Sequence, residues 1–289
     1  MKKFILSTDM TADLPQSYID KYDIVIQQLF YTFDNIVYGV DTDYMDPDTF
    51  YHEMREGKNP TTSASNPGQV KASFEAYAKQ GLDVLHISFS SGLSSTHNTT
   101  TILAQEVMEE YPDITIKVVD SLSASLGQGL LVLEAAEMQS EGKSLEEVAQ
   151  WVEQNRLDVV HQFTVEDLFH LSRGGRISMT NAILGSALSI KPLMSIDNEG
   201  KLVNTAKLRG TKKMFSTLVN SPQDLSNLAR FKRMAIAHGG NIENALKLKE
   251  MLEEKYEVEE IIINHLGPII GAHTGPDVLS CVFLGTRDI

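Results

Sequence analysis

The sequence predicts an α/β protein of two α/β domains, the first around a parallel sheet with flanking helices and the second around a mixed sheet. Three observations carry this reading. Apolar, β-rich runs alternate with helical patterns from the start of the chain, as βαβ units require. In the second half, Asn198-Glu199-Gly200 separates two strand-like runs, which is a hairpin signal and brings in antiparallel pairing. The 289 residues suffice for two domains of ordinary size, and 42% hydrophobic with 22% charged residues is ordinary globular composition.

The elements follow in order. "KKFILST" (2–8) is the first strand, and further strands are expected at 24–31, 82–89 and 114–120. Helices are expected near 47–56, 68–80, 95–111 and 125–141. In the helix near 95–111, Ala104, Val107, Met108 and Tyr111 recur at spacings of three and four and share one face. "SLEE" opens the next helix, with Ser144 and Glu147 fitting a capping box, and it runs to about Asn155. A strand at 157–163 then begins the second domain, so the expected division is 1–156 and 157–289. Beyond it come the hairpin, a helix at 210–219, a strand at 232–238, a helix at 242–256 and strands at 257–264 and 278–285. There is no internal repeat and no low-complexity linker, so the halves are expected to pack closely.

The single cysteine, Cys281, cannot form an internal disulfide, and Cys and His show no metal-ligand spacing. The N-terminal apolar run meets Asp9 too early for a signal peptide, and no apolar segment reaches the ~18 residues of a membrane span. A cytoplasmic protein without a transmembrane segment is expected. The formal net charge of -14 repels phosphate backbones and argues against nucleic acid as a partner. The charge is uneven, however. Residues 173–213 hold eight Lys or Arg against Asp197 and Glu199. That is either a scatter of surface charge or a basic face for an anionic ligand or an acidic partner.

Four polar clusters stand out: "NPTTSASNPG" (59–68), "SFSSGLSST" (88–96), "LSRGGRIS" (171–178) and "GPIIGAHTGPD" (267–277). Ligands of parallel α/β sheets bind beyond the carboxyl ends of the strands, and two of these clusters follow strong strands. Singly, each has a plain structural reading, as a helix cap, a turn or a loop histidine. Together they suggest an anion cradle, because hydroxyls, helix-start N–H groups and a guanidinium satisfy a carboxylate or phosphate without adding a competing charge. A serine nucleophile is the rival. It lacks the Gly-x-Ser-x-Gly elbow, and no spacing pins His97 or His273 to Ser91. No P-loop and no Gly-x-Gly-x-x-Gly is present, so no nucleotide cofactor is expected.

The ordered blocks "STDMTADLP" (7–15), "PTTSASNPG" (60–68), "SSGLSSTHNT" (90–99), "LSRGGRIS" (171–178), "IKPLMSIDNEGKL" (190–202), "KLRGTKK" (207–213) and "GPIIGAHTGPD" (267–277) resemble the DegV family over nearly the whole chain. That family includes the fatty-acid-binding subunits of the bacterial fatty acid kinase. The resemblance implies two α/β domains with a fatty acid between them and its carboxylate at their interface. It implies carboxylate contacts from Thr62, Ser63 and Ser91, with His273 close by, and places Arg176 and Arg209 near the phosphoryl group or the partner face. The chain departs from the family pattern at Met10, Ser95 and Asp277, and Asp277 sets an acid near the expected carboxylate.

By the same resemblance the protein does no chemistry alone. It presents a long-chain fatty acid to an ATP-binding fatty acid kinase subunit, which forms the acyl phosphate, as a step of phospholipid metabolism. The bound fatty acid is then a ligand rather than a cofactor. Two alternatives remain at this stage: a regulatory sensor of bound lipid, and a lipid or ester hydrolase using Ser91 with His273.

Overall fold

The computed structural model describes residues 4–40, 42–166, 168–178, 190–222 and 233–287. The first half runs β1 (Phe4–Asp9), α1 (Gln16–Tyr22), β2 (Val25–Gln27), β3 (Phe30–Phe33), β4 (Ile36–Tyr38) and α2 (Pro47–Arg55). It continues with β5 (Thr61–Ser63), α3 (Pro67–Ala78), β6 (Asp83–Ser88), α4 (Thr96–Glu110), β7 (Ile116–Asp120), α5 (Leu126–Ser140) and α6 (Leu145–Asn155). The second half runs β8 (Val159–Thr164), α7 (Phe169–Arg173), β9 (Ile190–Ile196), β10 (Leu202–Arg209) and α8 (Gly210–Asn220). It ends with β11 (Arg233–His238), α9 (Ile242–Lys255), β12 (Glu260–His265), α10 (Pro268–Thr274) and β13 (Leu279–Leu284).

The parallel sheet has the order β2-β1-β6-β7, and the mixed sheet the order β10-β9-β8-β13-β11-β12. This is the α/β class that the alternation and the hairpin predict. In the mixed sheet β11 and β12 are parallel, while the other neighbours are antiparallel. The hairpin closes as expected, with Ile196 opposite Leu202. The Asp197 carboxylate holds its turn, accepting the Glu199 and Lys201 N–H groups, each at 2.9 Å. Helix starts also follow local chemistry. Ser144 and Glu147 form the reciprocal capping box of α6, and Asn66, ahead of Pro67, accepts from the Gly68 and Gln69 N–H groups. Lys2, Lys3 and Lys232, at the starts of two expected strands, lie outside the described residues.

One expected strand is two. Residues 25–27 belong to the parallel sheet, but residues 30–33 form the centre of a third, antiparallel sheet of order β4-β3-β5. The break falls at the polar pair Gln27-Gln28. The Gln27 amide donates to the Ser73 hydroxyl at 2.9 Å, and Tyr44 bonds both Gln28 and Leu29, so the chain leaves one sheet for the other. "NPTTSASNPG" is also more than a turn, since Thr61–Ser63 is β5 and pairs Thr62 with Tyr31. "GPIIGAHTGPD" contains α10.

Helix α5 binds the halves together. It is buried throughout from Leu126 to Leu133, a stretch in which Gln128 is the one polar side chain and bonds Thr8, Thr11 and the Ile87 carbonyl, and such burial requires protein on every face. It touches β1 and β6 of the parallel sheet and β8, β11 and β13 of the mixed sheet. The largest apolar core accordingly joins Leu6 and Leu131 to Val282 and Leu284.

Candidate functional site

In the parallel sheet the strand order reverses between β1 and β6, with β2 added on one side of β1 and β6 on the other, and this is the switch point beyond which such sheets bind ligands. The loop after β6 leaves from there. Asp9, fully buried at the end of β1, accepts from the Ser88 hydroxyl at 3.1 Å and the Phe89 N–H at 2.7 Å, fixing the loop's first residues. From the other half, Ser90 donates to the Gly200 carbonyl at 2.8 Å, so the hairpin turn of the mixed sheet clamps the same loop.

Beyond this loop lies a cavity of ≈ 210 Å³. That is more than ten times the ~10–15 Å³ needed by one water, so it is not a packing defect. Most of its wall is apolar, including Leu29, Phe89, Phe163, Ile196, Leu202 and Val282. Thr62, Ser63, Ser94, Ser95, Arg176 and His273 add polar groups. β5 brings Thr62 and Ser63, the loop before α4 brings Ser94 and Ser95, the segment after α7 brings Arg176, and α10 brings His273.

Thr62 Oγ1 and His273 Nε2 are 2.8 Å apart. His273 Nδ1 is buried without a partner. A buried N–H left unpaired is rarer than a bare acceptor, so we assign the proton to Nε2, which donates to Thr62. The Thr62 hydroxyl is then free to donate its own hydrogen. Burial, with the adjacent Arg176 charge second, lowers the His273 pKa to about 4, so the ring is neutral near pH 7. Arg176 is itself half-buried, with Nε donating to the Leu93 carbonyl at 3.2 Å and another nitrogen to that of Gly174. α7 and α10 meet so closely that a Cβ on Gly174 would stand 2.1 Å from His273 Nδ1. The polar end of the cavity is therefore built by four separate segments.

The expected site residues divide. Thr62, Ser63, His273 and Arg176 come together at the cavity. Ser91 does not. It is exposed and outside the lining, and its N–H donates to Asp120 at 3.2 Å. Ser94, three residues on, lines the cavity instead and also caps α4, accepting the Thr96 N–H at 3.2 Å. The loop turns after Ser90, which reverses the side each residue faces, and sequence spacing alone does not show that reversal. The hydrolase pairing of Ser91 with His273 therefore has no support, because the hydroxyl beside His273 belongs to Thr62. His97 does not line the cavity either. Arg209 is exposed at the end of β10, near the exposed Lys212 and Lys213 in sequence, and is not among the lining residues.

The departures also find their places. Asp277 does not approach the cavity: its carboxylate forms a two-pronged pair with Arg55 at 2.9 and 3.2 Å. Met10 lines a neighbouring cavity with Asp9 and Asp13, and its sulfur accepts the Leu29 N–H at 3.2 Å. Ser95 replaces a smaller residue with one more hydroxyl on the lining. Sequence reading passed over Ser125, His161 and Arg287. "SLSASLGQG" after β7 carries the same hydroxyl-rich strand-end signal as "SFSSGLSST" and could have marked Ser125. His161 and Arg287 give no local signal. The Arg287 guanidinium is buried and bonds the carbonyls of Val159, Arg156, Leu122 and Asp197. Burial lowers its pKa to about 10.

Among the described residues no group of three or more His, Cys, Asp or Glu could hold a metal ion, and no helix is long and apolar enough to cross a membrane. Comparison with known proteins agrees with the fold. A DegV domain-containing protein of Clostridium perfringens is 44% identical over 99% of this chain and 98% of that relative. The solved structure of a DegV family protein from Thermus thermophilus, described for its fatty acid binding, superposes with a TM-score of 0.83 at 30% identity, covering 98% of this chain and 99% of that one. DegV of Bacillus subtilis, described as a fatty acid binding protein, gives 0.84 at 30% identity over 99% and 100%. The family model "Uncharacterised protein, DegV family" matches residues 3–286, and on these grounds the chain is a member of the DegV family.

Proposed function

We propose that this chain binds a long-chain fatty acid in the ≈ 210 Å³ cavity and presents its carboxylate to an ATP-dependent kinase subunit. One observation carries the reading: the mostly apolar cavity has a polar end where His273 orients the Thr62 hydroxyl beside the Arg176 cation. A buried carboxylate needs several donors and a compensating charge, and Thr62, Ser63, Ser94 and Arg176 supply both kinds. The rest of the wall takes the acyl chain, whose burial contributes ~0.8 kcal/mol per CH₂. The two 30%-identical relatives described as fatty-acid-binding support the ligand class.

The protein contributes orientation and charge, and ATP comes from the partner. A carboxylate oxygen attacks the terminal phosphoryl group, giving acyl phosphate and ADP. Arg176 steadies the charge at the reacting end. Arg209, with exposed Lys212 and Lys213, offers a basic surface to an acidic face of the partner.

Native mass spectrometry of the purified protein, followed by denaturing extraction, tests the ligand. One fatty acid per chain is expected. An empty protein that takes up no added fatty acid rules the reading out. Incubation with the kinase subunit, ATP and Mg²⁺ then tests presentation: acyl phosphate is expected, whereas unmodified lipid would leave a sensor role in its place.

A further inference from the structure

Two tethers hold α2 against the segment that carries His273. The Tyr51 hydroxyl donates to the Leu266 carbonyl at 2.6 Å, just before α10 begins. One helical turn later, at the C-terminal end of α2, Arg55 reaches the chain beyond the other end of α10. Its Nε donates to Asp277 Oδ2 at 3.2 Å and its Nη2 to Asp277 Oδ1 at 2.9 Å. The same Nη2 lies 3.2 and 3.1 Å from the Gly239 and Gly240 carbonyls. The Asp277 N–H in turn donates to the Gly239 carbonyl at 2.9 Å, so the cation, the carboxylate and the two loops are bonded together.

Both partners are near neighbours of the polar end of the cavity. Arg55 precedes Thr62 by seven residues, and Asp277 follows His273 by four. The Arg55–Asp277 pair therefore ties the same two segments as the Thr62–His273 hydrogen bond. Two parallel N–H···O bonds to one carboxylate fix direction as well as distance, which a single ammonium does not. Asp277 has a φ of 62°, a left-handed backbone that aspartate accepts more readily than most side chains. Tyr51 brings the segments close: a Cβ on Gly240 or Gly271 would stand 2.8 or 2.5 Å from its atoms.

We propose that Arg55 and Asp277 are positioning residues for the carboxylate site. By fixing α2 on the segment after α10 they hold Thr62 within reach of His273, and so aim the Thr62 hydroxyl at the ligand. This rests on the fatty acid reading above. Neither residue lines the cavity, so the pair acts through Thr62 and His273. The Arg55 and Asp277 side chains are 36% and 33% exposed, so removing one strands no buried charge and leaves the fold standing.

The test reads the site with and without ligand. In delipidated protein, the NMR signals of the His273 ring nitrogens report its hydrogen bond to Thr62. Arg55→Ala and Asp277→Asn should each shift these signals and weaken stearic acid binding roughly threefold to fivefold, the upper range for a partly exposed ion pair. Asparagine tolerates the left-handed backbone, so that variant removes the charge alone. Arg55→Lys should recover only part of the affinity, because an ammonium does not reproduce the two-pronged contact. Lys58→Ala is the control. It breaks ion pairs with Asp34 and Glu53, which belong to the same stretch of chain as Thr62, and should change neither reading. Wild-type signals and affinity in both Arg55→Ala and Asp277→Asn overturn the proposal, as does an equal change in Lys58→Ala. If the wild type binds no stearic acid, the fatty acid reading fails, and the His273 signals alone decide whether the pair positions Thr62.

Discussion

At the residue scale the site depends on which hydroxyl of a dense cluster faces inward. Thr62 and Ser94 line the cavity, while Ser91 faces out. Thr62→Ala and Ser94→Ala should each weaken fatty acid retention by roughly 1.5–3 kcal/mol, the worth of a hydrogen bond to a charged group. Ser91→Ala should leave retention close to wild type. A competition assay across the three variants checks this, and equal losses in all three would remove the carboxylate assignment. Asp13 supplies a second test. Burial outweighs the Ser125 and Gly267 hydrogen bonds and raises its carboxyl to about 7, above the ~3.9 of an unfolded chain. The folded state keeps a proton that the unfolded state has lost, so wild-type stability falls as pH rises from ~4 to about 7. Asp13→Asn has no proton to lose. Its melting temperature should exceed that of wild type above pH 7, with the gap closing as pH falls toward ~4. A gap that widens in acid would contradict the shift.

At the element scale the site is a meeting of four segments, and the closest approach is α7 on α10. Gly174 lies where His273 leaves no room for a methyl group. Gly174→Ala should displace the imidazole, loosen its bond to Thr62 and reduce fatty acid retention at least tenfold. Retention and the Tm of ligand-free protein, measured together, separate site damage from unfolding. Unchanged retention would mean that α7 moves aside and His273 does not position Thr62. The loop after β6 is held in the same way from two directions, by Asp9 of the parallel sheet and by the hairpin turn of the mixed sheet. Neither clasp is visible in the loop's own sequence. "SFSSGLSST" marks a polar strand end, but the turn that points Ser94 inward and Ser91 outward is set by those partners.

At the scale of the whole molecule the two halves share one core through α5, and two buried or half-buried arginines fasten the seam. Arg233, on β11, pairs with Glu134 and Glu137 of α5 and with Glu260 of β12. Arg287 joins carbonyls of the loop after β7 to the start of β8 and to the hairpin turn. Arg287→Ala would leave several buried carbonyls without a donor and should destabilise the protein by roughly 2–4 kcal/mol. Chemical denaturation measures this, and a loss below about 0.5 kcal/mol, typical of a surface substitution, would show the clasp to be dispensable.

Sequence alone determined the class of the fold, the place of nearly every helix of the parallel half, the α6 capping box and the hairpin at residues 197–201. These are legible because periodicity, caps and turn chemistry act between residues a few positions apart. The hydroxyl-rich strand ends and the arginine cluster were legible as well, and within them the resemblance to the DegV family marked Thr62, Ser63, Arg176 and His273, all of which line the cavity. The tertiary structure decided the rest. Residues 30–63 leave the parallel sheet to make a third sheet, so Thr62 reaches His273 across more than two hundred residues of chain. Ser94 displaced Ser91, and Ser125 and His161 came to line the cavity, through packing between α5, α10 and β8. Direction and burial of a side chain depend on partners distant in sequence, and no local pattern encodes which hydroxyl those partners turn toward the ligand.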